Sequence, residues 1–374
     1  MIKKIKIVTV CFFVCLLMMV FCESQKSEWQ GRIYESNNVK IIRNPKRPIY
    51  EKDVFDLKLE LTIGGKEAQK PACMFTNIKE MAVDNQENIF VLDSHQKSIK
   101  KFNPQGNYLC SIGRLGQNPG EYGFPWDICL LKNRLSVLDI IYRKLVFYSL
   151  GGNFIKQINT VKKGQPIDIK VNSNQEYIIY TLLHRQNRSY ELSKFDHDFK
   201  KIDVIDSFER EKIPILESLS PDIQWCLTTK DEIIWGYSDR YEIKIQNSKG
   251  IFTKRILRNY DPVPVNKQEY AEKINKKFGG KPPGPQFQQK LPKFHPAFHS
   301  ILTDDIGRIF IGVFPKSDEK GMPYDILDPD GRYLAKMELP FTPYLFKKGK
   351  LYSLEKDSGG YLLIKRYQIK WKNL

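Results

Sequence analysis

Cysteine is scarce in this chain, and what there is does not pair up. The sequence holds 7 cysteines in 374 residues, of which Cys11, Cys15 and Cys22 fall in the first apolar run or at its end. The other four, Cys73, Cys110, Cys129 and Cys226, lack CxxC spacing, and most stand in or beside apolar strand runs. A disulfide framework or zinc site of the usual spacing has no support there, and buried free thiols are expected. Acidic residues are also in deficit. Lys and Arg number 60 against 43 Asp and Glu, a formal charge of +17. Such an excess suits nucleic acid, anionic lipid or acidic glycans, or simply a solvated surface with lysines blunting sheet edges. An apolar share of 41% excludes a disordered chain.

Long apolar runs are missing except one, Ile7 to Cys22, which follows Lys3, Lys4 and Lys6 and ends in Glu23-Ser24-Gln25-Lys26. That is the plan of an export signal, and the run is short for a membrane-spanning helix. Export argues against nucleic acid as partner and places the mature chain in the cell envelope. Cys22 stands where bacterial lipoprotein signals carry their lipidated cysteine, so the sequence resembles that class. Phe21 departs from the small residue the pattern wants, and an uncleaved anchor or ordinary cleavage stay open. The expected divisions are a signal over 1–22, a linker over 23–51, and one folded unit over 52–374.

What is abundant is repetition. From Ile78 the chain reads IKEMAVDNQENIFVLDSHQKSIKKFNPQGNYLCSIG, and from Pro125 it reads PWDICLLKNRLSVLDIIYRKLVFYSLGGNFIKQI. Each copy holds four short alternating segments joined by tight turns, with glycine in Asn103-Pro104-Gln105-Gly106 and Asp328 to Gly331 where positive φ is needed. More worn copies follow, and the sixth ends one strand short. A period of roughly 40–50 residues with four strands per copy predicts an all-β, six-bladed β-propeller with four-stranded antiparallel blades. An open edge on the last blade would leave unpaired backbone. The alternating stretch Asp56 to Gly65 is therefore expected to supply the missing outer strand and close the ring.

The stretch from Phe75 to Ile128 resembles the NHL repeat. Ala82-Val83-Asp84, Asn88 to Asp93, Phe102 to Gly106 and Gly113 to Tyr122 match its motifs, and Glu87 and Tyr122 depart from its usual Gly and Phe. The resemblance implies kinship with exported six-bladed propellers of bacteria, many of them lipoproteins. Relatives of that shape include calcium-dependent lactonases and lyases working at the axial pocket, so a metal-dependent hydrolase or lyase is the alternative to a non-enzymatic binding module. Carboxylates near the openings of the first strands are few, mainly Asp127 and Asp168 beside Thr228 and Ser300. No catalytic set, metal site or cofactor is assigned.

One segment breaks the period. Residues 259–296 contain NKQEYAEKINKKF, with Tyr270, Ile274 and Phe278 at helical spacing, then a Gly- and Pro-rich stretch. A lid, a partner contact and a mobile insertion are all compatible with it. The loop GRLGQNPGEYG lacks a Walker ending and reads as a blade-to-blade connection, though Arg114 and Glu121 on it are candidates to face the axis. Loops between second and third strands of successive blades fall on one face, which brings His184, Arg143 and Arg240 into consideration as ligand contacts. His299 joins them as part of an H-x-x-x-H with His295, near Asp304 and Asp305. Trp126, Trp225 and Trp235 are expected to pack between blades. The expected partner is a protein or an acidic glycan met by a monomer held to the membrane through its N-terminus.

Overall fold

The computed structural model describes residues 28–66, 71–160, 164–184, 188–210, 219–280, 291–317 and 319–372. Cys22 lies outside them. Every repeat becomes one twisted antiparallel sheet. The first blade takes Ile78–Val83, Ile89–Asp93, Ser98–Phe102 and Tyr108–Ile112, and the second Pro125–Leu131, Arg134–Asp139, Lys144–Ser149 and Phe154–Asn159. Blades three, four and five begin with the innermost strands Gln165–Val171, Ile223–Leu227 and Ser300–Thr303. Blade six runs Pro343–Lys347, Lys350–Lys356 and Leu362–Trp371, and its fourth strand is Phe55–Gly64. Leu59 pairs with Tyr367 in that antiparallel ladder, so the beginning of the chain seals the end as expected.

The period of two explains how the ring holds. Each strand turns alternate side chains to its two neighbouring sheets. The described residues form six apolar clusters, one in each gap between blades. Ile63 of the closing strand sits in the cluster between blades six and one, with Met81, Ile89, Tyr352 and Ile364. Burial of this kind contributes about 25 cal/mol per Å² of apolar surface, and a circle of six gaps leaves no blade with an unburied face.

Turns obey local chemistry. Asn103 Oδ1 accepts from the backbone N–H of Gln105 and of Asn107. Gly106, at φ 81°, completes that turn. The Asp closing the NIFVLD and RLSVLD motifs is also structural. Asp93 accepts from the backbone of Thr76, Asn77 and Gln96, and Asp139 from Gly123, Phe124, Ile141 and Tyr142. Each ties the entry of its blade to the next turn. Glu87, where the repeat usually has Gly, does hold φ 64°, and its carboxylate lies 2.6 Å from Lys350 Nζ.

Part of the stretch expected as linker is ordered sheet. Arg32–Ser36 and Val39–Asn44 form a hairpin whose inner strand runs parallel to Phe252–Arg258, making blade four six-stranded. Tyr50 then bridges Ala335 on the outer strand of blade five, before Phe55–Gly64 completes blade six. Residues 32–64 are thus a belt around three consecutive blades. Its clamp is Asn44, which accepts from Trp29 Nε1 at 3.0 Å and from Tyr333 N at 2.8 Å, and donates to Gly331 O at 2.8 Å. The alternation in VKIIRN is the local cause: Ile42 is fully buried while Arg43 is exposed.

The period-breaking segment contains the expected helix, Lys267–Phe278. Asn266 caps it by accepting from Gln268 N, and Gly279 ends it in the left-handed region at φ 60°. No helix among the described residues is long and apolar enough to cross a membrane.

Candidate functional site

The innermost strands carry a row of polar side chains at one equivalent level. Glu80, Asp127, Asp168, Gln224 and Ser300 pair respectively with Leu92, Leu138, Tyr180, Gly236 and Gly312 of the second strands. In blades one, two and three a bulge immediately precedes the carboxylate, at Ile78/Glu80, Pro125/Asp127 and Pro166/Asp168. Bulges re-aim side chains. A matching bulge in blade six, between Pro343 and Leu345, frees Tyr344 to reach the same place.

Tyr344, Glu80, Asp127, Asp168 and Lys170 form a network across four blades. Tyr344 OH donates to Glu80 Oε1, and Met81 N donates to Tyr344 OH at 3.3 Å. Asp127 Oδ2 accepts from Ile169 N at 2.8 Å, capping an inner-edge amide of the next blade. Lys170 Nζ stands 3.2 Å from Asp168 Oδ1. Burial raises the Glu80 carboxyl above its ordinary value despite the pull of Lys170. Burial, with Glu80 and Asp168 as like-charged neighbours, raises Asp127 well above its own. For Lys170 burial works the other way, but the three surrounding carboxylates outweigh it and hold the side chain as an ammonium.

The network is not sealed. Side chains of Asp168 and Lys170 keep 30% and 37% of their accessible surface, although inner strands surround them. Glu80, Gln224, Ser300 and Tyr344 are likewise half-buried. Trp126 stands beside them, its Nε1 donating to Ile167 O at 2.8 Å and Lys79 Nζ 3.6 Å above its ring. Chemically this is a cluster of donors and acceptors, partly open to water at Asp168 and Lys170, suited to orienting hydroxyl groups. Burial pushes the Cys129 and Cys226 thiols up to about 12, so neither is an activated nucleophile.

A divalent metal does not fit the carboxylates of this chamber. The Lys170 ammonium already stands among them, 3.2 Å from Asp168 Oδ1, and no three His, Cys, Asp or Glu side chains among the described residues are grouped to hold an ion.

The residues singled out by sequence are scattered. Glu121 is buried and closes its own loop, accepting from Asn118 N at 3.0 Å and Arg114 Nε at 2.7 Å. That pairing holds its carboxyl below the ordinary range. Arg143 is exposed at a turn with φ 49°. Arg240 donates to Glu242 at 2.6 Å, and Arg255 shares the same carboxylate at 2.5 Å. His184 ends a strand paired with Arg188. The His299 ring lies edge-on to Phe314 and Tyr324, and burial lowers its pKa. His295 stacks on the same Phe314 at 4.4 Å, while Asp304 pairs with Arg308 and Asp305 accepts from Gly349 N. Thr228 caps a turn, accepting from Glu232 N. Arg114 and Glu121 pair with each other, whereas Arg240 and His299 make their contacts in other blades.

Asp127, Asp168 and Ser300 were legible as polar residues on first strands; Glu80, Lys170, Gln224 and Tyr344 were not singled out. A signal for Glu80 existed. PWD, PID and IKE place an acid at one position of three successive repeats.

Comparison with known proteins agrees with this architecture. A family described as "6-bladed beta-propeller" matches residues 69–247. No curated protein matches the sequence. A Bacteroides fragilis protein described as exported superimposes with a TM-score of 0.59 at 11% identity, covering 89% of this chain and 100% of its own. A member of the DUF4221 family from Bacteroides vulgatus gives 0.54 at 11% identity, over 85% and 99%. With six sheets, six interblade cores and a closing strand from the N-terminal segment, the chain is a six-bladed β-propeller.

Proposed function

We propose that this propeller is an exported, membrane-tethered binding module that takes a glycan at the mouth of its axis and does no chemistry on it. The observation that carries this is the polar row of Glu80, Asp127, Asp168 and Gln224 with Lys170 and Tyr344, open to water at Asp168 and Lys170 although Asp127 itself is buried. Carboxylates and amides that accept and donate in a fixed array recognise vicinal hydroxyls, and an aromatic edge supplies apolar contact. Lipidation at Cys22 would supply the tether. A metal-dependent hydrolase at the axis gains no support from a carboxylate set that already holds the Lys170 ammonium against Asp168.

A glycan array probed with the labelled mature protein tests the binding. Retained glycans are expected, with Asp168→Asn and Lys170→Met weakening retention at least tenfold. An empty array, or equal retention by both variants, contradicts the reading. Calorimetry that finds a stoichiometric micromolar calcium or zinc site lost in Asp168→Asn would favour the hydrolase. Replacing Cys22 by Ser is expected to move the protein from the membrane to the soluble fraction, and unchanged partition would rule out the lipid.

A further inference from the structure

A second cavity lies away from the axis, where three remote parts of the chain meet. Lys46 and Arg47 come from the N-terminal belt, Tyr260 and Pro296 from the two ends of the period-breaking segment, and Phe314 and Lys316 from blade five. They enclose a cleft of about 190 Å³ that shares Val263 and Lys316 with an open compartment of about 520 Å³.

Its floor is rigid and already neutral. Asp325, with 0% exposure, accepts from Tyr241 OH at 2.9 Å and Tyr333 OH at 2.8 Å, and pairs with Arg258 Nη1 at 3.0 Å. The Arg258 guanidinium stacks 4.2 Å from the centre of the Tyr333 ring, and its buried Nε–H has no acceptor. Cations on the walls are partly matched: Lys46 pairs with Asp261, and Lys336 with Glu319. Arg47 and Lys316 both line the cleft and are exposed; Lys316 feels the charge of Asp261, its backbone N donating to Glu319 at 2.8 Å, and Arg47 forms no salt bridge to a carboxylate among the described residues. The surplus is therefore two positive charges above the Arg258 guanidinium, which lines the cleft. Such a concave site with convergent cations and aromatic walls selects an oxyanion carried on a small body.

We infer that this cleft is a binding site for a carboxylate- or phosphate-bearing small molecule, held between Arg47 and Lys316 over the Arg258–Tyr333 stack. The site is independent of the axial chamber and exists only while the belt is docked, because Lys46 and Arg47 belong to it. Anion binding therefore stabilises the belt by mass action.

The test follows the melting temperature of the full mature protein titrated with inorganic phosphate, glucuronate or glucose, with ionic strength held constant by sodium chloride. A saturable rise is expected with phosphate or glucuronate, the arm that saturates naming the oxyanion. Affinity should fall at least tenfold in Arg47→Ala/Lys316→Ala and stay unchanged in Lys170→Met. Both replaced side chains are exposed, so the double variant should keep the melting temperature of the parent without anion. No response beyond chloride to either anion, or equal affinity in the double variant, overturns the inference. Loss in Lys170→Met but not in the double variant would assign the anion to the axis instead.

Discussion

Single side chains in this molecule do their decisive work where burial meets charge. Asp127 shows the balance most clearly. It is 4% exposed, caps an edge amide of the neighbouring blade, and faces Glu80, Asp168 and Lys170. Its folded pKa lies above the unfolded value. Its favourable contribution to stability is therefore complete below the unfolded carboxylate range near about 4, and is lost as pH rises through the folded value. Asparagine keeps an acceptor for Ile169 N and removes the titration. Asp127→Asn is expected to flatten the fall of stability between mildly acidic and neutral pH, matching or exceeding the parent at pH 7 in urea denaturation. An unchanged slope would mean that Asp127 does not titrate in that window. Residue identity also shows what sequence could and could not supply. The acids of PWD and PID were visible, but what Asp127 touches depends on a strand 42 residues away. The convergence of Tyr344 on Glu80 spans 264 residues and depends on a bulge in each strand.

Strands and turns were the most legible level because their causes are local. Alternation, Asn-Pro-Gln-Gly turns and the helix cap at Asn266 are all written within a few residues of where they act. The closing strand was inferred from a shortage elsewhere, since the sixth repeat lacked a partner. The hairpin of Arg32–Ser36 and Val39–Asn44 was missed because it adds to a blade that already had four strands, so no deficit announced it. The two halves of the belt differ in burial. Phe55 is 2% exposed between Phe310 and Trp371, whereas Ile33 is 38% exposed on the outer edge. Phe55→Ala is expected to cost about 3–5 kcal/mol, and Ile33→Ala less than about 0.5 kcal/mol, both by chemical denaturation. Similar costs for the two would mean that the belt does not seal the ring.

At the scale of the whole molecule, the two sites have opposite characters. The axial chamber is acidic and polar, built from equivalent positions of the repeats, and therefore left a trace in the sequence. The outer cleft is basic and built from segments that share no period, so nothing in one repeat predicts it. Both need the same closed ring. The axis exists only when six blades surround it, and the cleft exists only when the belt passes blades four and five on its way to blade six. Closure by Phe55–Gly64 is thus the claim on which the rest depends. Hydrogen exchange on the mature protein measures it directly. Amides of residues 57–63 should exchange as slowly as their partners in 363–369, and both should be released together in one cooperative opening. Exchange of 57–63 at the rate of a free tail, while the strands of blades one to five stay protected, would contradict the closed ring.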